Sequence, residues 1–336
     1  IVSVSWGDHL VFGEGEGRLA SAKNIARRMK RWRKELGADT LHWRVPKAAL
    51  AGEYQKADDY PETIQQRKKS GLNFFKQVPE IAHQQGLQAY LYVSLFDEGF
   101  PLAPEQERQG SYHNPMHGQH ITWQSDFSSR HPEFALVDRT GENRQWGVLC
   151  LAYPQAREHL IRRFRGMLQR GEWDGLFLCF RSQSRPADHA DQFGFNEPIR
   201  QDFKARYGRD IETQDFDIQF WRDLRSEYLS QMILEVRRLT DDLAVRLALG
   251  LPRGDVLGPP MDNRSIAWHQ WVREGLVDEL IINQNSVVCP SMWHSLWSMH
   301  RGYGYLQNYL DGFNLPPLLE QISESYSPVI SRDGRT

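Results

Sequence analysis

Long apolar runs are missing from this sequence. None reaches the roughly 18 consecutive apolar residues that a membrane-spanning helix needs, and no basic, apolar and small-residue leader opens the chain. The first residue is Ile1 and not Met, so the reading leaves room for an upstream leader removed before this point. The expectation is a soluble protein, secreted or periplasmic if such a signal was removed.

Cysteine is scarce. Cys150, Cys179 and Cys289 are odd in number and far apart, a spacing that holds neither zinc nor an iron-sulfur cluster. Cys150 and Cys179 lie in apolar runs and read as buried free thiols acting as small hydrophobes. Charge of one sign is also lacking. With 41 Lys and Arg against 43 Asp and Glu the formal net charge is −2, which gives no footprint for a polyanion and excludes nucleic acid as the expected partner. A phosphate-binding glycine motif is absent too. Gly13-Glu14-Gly15-Glu16-Gly17 alternates glycine with carboxylates that repel phosphate, outside any strand-turn-helix setting. His113, His117 and His120 match no zinc spacing, and Pro115 and Gly118 keep them off one helix face. Neither a cofactor nor a metal is expected.

What the sequence does have is aromatics, 11 Trp, 12 Tyr and 16 Phe, many beside Asp, Glu, Asn, Arg and His. Sugars present flat C–H faces and many hydroxyls, and a cleft mixing aromatic rings with hydrogen-bonding groups of both senses suits them.

The chain repeats one order of elements: apolar strand, polar cluster at the strand end, amphipathic helix. Strands are read at 1–6, 39–45, 87–95, 175–180, 243–249 and 277–282, with helices at 21–36, 72–85, 155–169, 198–207, 216–240 and 263–273. Gly37, Gly86 and Gly208 stop helices, and Pro154 suits a first helical turn. Gly175 to Phe180 is a nearly all-apolar run of the kind buried on both faces of a parallel sheet. The fold class expected is α/β, a TIM-type (β/α)8 barrel of about 250 residues plus insertions. Only about six strands are convincing and 323–336 reads as loop, so the expectation is either a barrel incomplete or irregular at its C-terminal end or a domain that continues beyond Thr336. The whole of 1–336 is read as a single domain with long insertions around 96–147 and 181–216.

In such barrels the chemistry sits where strands end. Hydrolysis of a glycosidic bond needs two carboxyl groups, one protonated to assist departure and one ionised as nucleophile or base. Strand ends and the loops beyond them offer Asp8, Asp97, Glu98, Glu197 and Asp255. Asp97, Glu98 and Glu197 are read as the catalytic candidates. The substrate-binding candidates are Arg181, His42, Trp43, Arg44, Asp8, Asp255, Asn283, Trp293 and Trp297, with the tryptophans as stacking platforms and the arginines as donor forks. Asp174 and Asp278 precede their strands and belong to the opposite, stability-bearing face. The partner expected is an oligo- or polysaccharide. The same residues also fit a non-catalytic carbohydrate-binding barrel, or a structural barrel whose tryptophans are buried.

A resemblance joins this reading. The run from Trp146 to Arg157 (WGVLCLAYPQAR), Trp173-Asp174-Gly175-Leu176, Arg181, Phe193-Gly194-Phe195-Asn196-Glu197-Pro198 and Arg206-Tyr207-Gly208-Arg209-Asp210-Ile211 resemble the bacterial glycosyl-hydrolase-like proteins with a TIM-barrel catalytic domain. The resemblance runs from the first strand to at least Asp311 and implies a barrel acting on a glycan. Asn196-Glu197-Pro198 also resembles the Asn-Glu-Pro that carries the acid/base glutamate in a large clan of retaining barrel glycosidases. There it directly follows its strand, whereas here it lies well beyond Arg181. Glu197-Pro198 equally suits the opening of a helix, where a carboxylate is favoured near the amide end.

Overall fold

The structure, a computed structural model, describes residues 1–4, 19, 21–45, 54–55, 71–99, 113–114, 119–120, 124–182, 189, 191–252, 256–257, 264–283 and 324. Of the candidates, Asp8, Asp255, Trp293 and Trp297 lie outside the described residues, as do the side chains of Arg181 and Asn283.

In chain order the main elements are β1 (Val2–Val4), α1 (Ala22–Leu36), β2 (Thr40–Trp43), α2 (Phe74–Gln84), β3 (Gln88–Phe96), the pair β4 (Ala135–Val137) and β5 (Arg144–Leu149), α3 (Pro154–Leu168), β6 (Gly175–Ser182), α4 (Glu197–Tyr207), α5 (Ile218–Asp242), β7 (Arg246–Pro252), α6 (Trp268–Arg273) and β8 (Glu279–Asn283). A curled sheet, not fully closed among the described residues, has six strands in the order β1-β2-β3-β6-β7-β8. Each neighbouring pair is parallel, so all six carboxyl ends lie on one side. This is the incomplete (β/α)8-like arrangement expected from the repeating pattern.

The helices begin and stop for local reasons. Ser21 caps α1, its Oγ accepting from the Asn24 amide at 3.3 Å, and Gly37 ends it at φ 62°. Pro154 opens α3, and Gly208 closes α4 in the left-handed conformation. Where the boundaries shift, tertiary contacts explain it. Strand β7 starts at Arg246 and not at Leu243, because α5 runs on to Asp242 and Ala244 turns the chain at φ 53°. Outside the main sheet, β5 pairs antiparallel with β4.

Two apolar layers result. Strand residues Leu41, Trp43, Leu91, Val93, Leu95, Leu176, Leu178, Leu247 and Leu249 pack with Ile25, Phe75, Leu160, Phe164, Trp221 and other helix residues. The alternate residues Tyr90, Tyr92, Phe177, Cys179 and Ala248, with Ile281, form a separate cluster on the concave side, as the period of two along a strand requires. Glycines make room there. A Cβ on Gly175 would run into the Tyr90 ring, and one on Gly250 would meet Phe177 Cζ at 2.6 Å.

At the amino ends of strands the same device occurs twice. Asp174 Oδ2 accepts from the Ala89 amide at 2.7 Å and from His83 of α2 at 2.8 Å. Asp278 Oδ2 accepts from the Leu247 amide at 2.8 Å and from Arg237 of α5 at 2.8 Å. Each ties a strand start to the adjacent strand and to the helix before it.

Candidate functional site

Strand alternation sorts the candidate residues. On β2, Leu41 and Trp43 go to the helix-facing core, while His42 and, one step past the strand, Arg44 go to the concave side. Trp43 is fully buried in that core. This corrects the expectation that Trp43 is a sugar platform, because a ring enclosed between sheet and helices offers no face to a ligand.

Arg44 and Asp97 come together. Asp97 follows the last residue of β3, is 4% exposed, and its Oδ2 is ion-paired with Arg44 Nη2. The Arg44 guanidinium carbon lies 5.5 Å from the centroid of the Tyr92 ring. The pair therefore stands at the carboxyl end of neighbouring strands, next to the concave aromatic cluster.

His42 lies deeper. Its ring stacks on Phe177 with centroids 4.0 Å apart, Nδ1 is 3.3 Å from Ser3 Oγ, and Nε2 has no hydrogen-bond partner among the described residues. Burial pushes its pKa down from 6.5 to about 3, so the imidazole is neutral near pH 7. Below it the Tyr90 hydroxyl donates to Glu279 Oε1 at 2.6 Å, and Arg246 sits 3.2 Å from the same oxygen.

Glu98 points the other way. Successive residues of an extended chain project to opposite sides, and Glu98 enters the helix layer with its side chain 0% exposed, ion-paired with Arg163 of α3 and 3.3 Å from His159 Nε2. Burial alone would raise its carboxyl. The Arg163 guanidinium, His159 and a hydrogen bond from Ser125 overturn that effect and hold it well below the usual carboxylate range. The main chain is tied as well, the Glu98 amide donating to Gly147 O at 3.1 Å and its carbonyl accepting from the Ser125 amide at 2.8 Å. Asp97 and Glu98, adjacent in sequence, thus project to opposite sides at the end of β3.

Glu197 is not brought to either. Its side chain is 56% exposed at the first turn of α4, 3.3 Å from Arg200 and bonded to Gln201 at 2.7 Å. The residues before it form a joint. Gly194 and Phe195 amides donate to Val137 O at 2.8 and 3.1 Å, and buried Asn196 accepts from the Val137 amide at 3.2 Å while donating to Ala135 O at 2.8 Å. Gly194 is required at φ 119°, and a Cβ there would collide with the buried Arg225 guanidinium. The Phe-Gly-Phe-Asn motif stitches the loop after β6 to β4.

Sequence reasoning missed the partners of Glu98. His159 and Arg163 are one helical turn apart beside the buried stripe Ala156, Leu160 and Phe164, and hydrogen-bond donors next to a core stripe are a signal that a buried carboxylate is near. It also missed Arg225 and Arg264, both buried near Cys150, whose guanidinium groups burial pushes below the ordinary value, Arg264 to about 10. Among the described residues no cluster of His, Cys, Asp and Glu is arranged to hold a metal ion, and no helix is long and apolar enough to cross a membrane.

No protein-family model and no curated protein matches the chain. Among solved structures it is similar to the β-galactosidase from the psychrophilic Marinomonas ef1, at TM-score 0.44 and 11% identity over 77% of this chain and 38% of that one. It is also similar to the PgaB (BpsB) glycoside hydrolase domain from Bordetella bronchiseptica, at TM-score 0.44 and 13% identity over 87% and 79%. A third likeness is to the alpha-L-fucosidase isoenzyme 2 from Paenibacillus thiaminolyticus, at TM-score 0.39 and 11% identity over 74% and 32%. These likenesses of fold are spread over glycoside hydrolases of several kinds and single out no one family, including the bacterial group expected from the motifs.

Proposed function

We propose that the chain is a glycoside hydrolase that cleaves a glycosidic bond in an oligo- or polysaccharide, with Asp97 as the essential ionised carboxylate. The observation that carries this reading is the enclosed Arg44–Asp97 pair at the carboxyl end of β2 and β3 beside Tyr92. A carboxylate held by a guanidinium is fixed in direction, as a nucleophile or base must be. The buried Tyr92 ring packs beside the Arg44 guanidinium and helps to hold it in place. The second carboxyl group is assigned to Glu197, which is exposed at the start of α4 on the side of the sheet where βα loops leave. Glu98 is assigned to the support of Asp97. No step requires a redox cofactor. A carboxyl separation of about 5–5.5 Å would give retention and about 6.5–9.5 Å inversion.

A non-catalytic carbohydrate-binding barrel is the second reading. It is favoured by the turning of Glu98 into the helix layer, where it pairs with Arg163 and not with the Arg44–Asp97 side of the sheet.

The test is a screen of neutral, sulfated and uronic-acid glycans for new reducing ends and for unsaturated products, with Asp97→Asn, Glu98→Gln and Glu197→Gln beside the parent. Hydrolysis abolished by Asp97→Asn supports the enzyme. Saccharide binding without cleavage moves the assignment to the binding barrel, an unsaturated product replaces hydrolysis by a lyase reaction, and full turnover by Asp97→Asn removes the assigned site.

A further inference from the structure

We infer that Glu98 is a positioning residue that aims Asp97 into the barrel, an inference that rests on the reading of Asp97 as the site carboxylate. Residue 98 is immobilised from every direction the chain offers. Its carboxylate is shared by Arg163 and His159, one turn apart on α3, and receives a hydrogen bond from Ser125. Its amide and carbonyl are bonded to Gly147 and Ser125. Ser125 is in turn fixed as the cap of the one-turn helix Asp126–Arg130, its Oγ accepting from the Ser128 amide at 3.0 Å.

This clamp lies just where the chain leaves β3, the point at which a strand loses its ladder and its last side chains become free to rotate. Anchoring Glu98 on the helix side sets the backbone dihedrals of the 97–98 step and so sends Asp97 to the concave side, against Arg44. His159 is itself held, its ring stacked on Phe127 at 3.8 Å. The anchoring atoms belong to α3, to Ser125 ahead of the Asp126–Arg130 helix and to β5, none of which carries Asp97. The orientation of the site carboxylate is thereby set from outside the barrel, as a pre-organised site requires.

The experiment compares the parent with Glu98→Gln, which keeps shape and removes charge, and with Arg163→Lys, which keeps charge and removes the fork. The exchange rate of the Arg44 Nη2 protons, followed by NMR, reports the Arg44–Asp97 contact without any substrate, and urea unfolding reports the fold. The expected result is a several-fold faster Arg44 exchange in both variants under conditions where each remains folded. On any glycan the parent cleaves, kcat should fall by about 10²-fold, the cost of a misplacement near 1 Å, with KM little changed. Unchanged Arg44 exchange alongside lowered stability would make Glu98 a stabilising residue only and overturn the inference. Loss of turnover with unchanged Arg44 exchange would overturn it in favour of a direct chemical role. Failure of the glycan screen removes the proposed reaction but leaves the Arg44 readout to decide whether Glu98 orients Asp97.

Discussion

Glu98 and Arg163 form an ion pair across the junction of β3 and α3 in which the side chains are 0% and 8% exposed. A pair so enclosed is costly to break from one side, because the remaining charge stays buried. Arg163→Met should cost about 3–5 kcal/mol of stability, read by urea unfolding at neutral pH. The Glu98 carboxyl is held below its ordinary value. Its stabilising contribution is therefore complete above the unfolded carboxylate pKa of about 4.3 and is lost as pH falls below that. An acid unfolding curve that is no flatter in Glu98→Gln than in the parent would contradict this.

The Arg44–Asp97 pair calls for a double-mutant cycle. Arg44→Met or Asp97→Leu alone leaves a buried partner charge, while the double variant leaves none. The two single costs should therefore sum to more than the double cost, by about 0.5–3 kcal/mol. Additive losses would mean that the pair is not coupled. With a cleavable glycan in hand, Asp97→Asn should lower kcat by about 10²–10⁴-fold.

His42 gives a pH signature of the opposite chemical kind. Its folded pKa of about 3 lies below the ordinary 6.5, so the unfolded chain binds the proton more readily. The stability due to neutral burial is full above pH 6.5 and is lost as pH falls from 6.5 toward 3, by up to about 1.4 kcal/mol per unit. His42→Phe should remove that slope between pH 6.5 and 5, measured as unfolding free energy at half-unit steps. An unchanged slope would mean that His42 is already accessible to protons in the fold.

Gly175 is the position where the interior is filled from a neighbouring strand. A Cβ there meets the Tyr90 ring, and Tyr90 is held by its bond to Glu279. Gly175→Ala should cost about 1–3 kcal/mol through overpacking. Tyr90→Phe in the same background keeps the ring and should not restore it, whereas Tyr90→Ala should relieve the clash. Equal melting temperatures for parent and Gly175→Ala would show that Tyr90 moves aside freely.

Much of the architecture is legible in the chain because it is written in local terms. Apolar runs of strand length, a stopping glycine at Gly37 or Gly208 and the proline that opens α3 act over a few residues, and the six parallel strands occur where that pattern puts them. The polar strand ends were equally visible, and Arg44, Asp97 and Glu98 could be named from position alone. The β4–β5 hairpin was less visible, since its pairing is decided by contacts to the loop at Gly194 and Asn196.

By itself, then, the sequence determined the order and type of the main elements, the side of the sheet on which polar residues gather, and the absence of a long apolar span. Which way each of those polar residues faces was decided only by the tertiary structure. Asp97 and Glu98 are the same chemistry one residue apart, yet one meets Arg44 on the concave side and the other meets Arg163 and His159 in the helix layer. Trp43, similarly, is committed to the core by the alternation that gives His42 and Arg44 to the interior. The physical reason is that alternation fixes only that neighbours oppose each other. Which side is inside depends on partners 53 and 65 residues away in the chain, brought together by the fold.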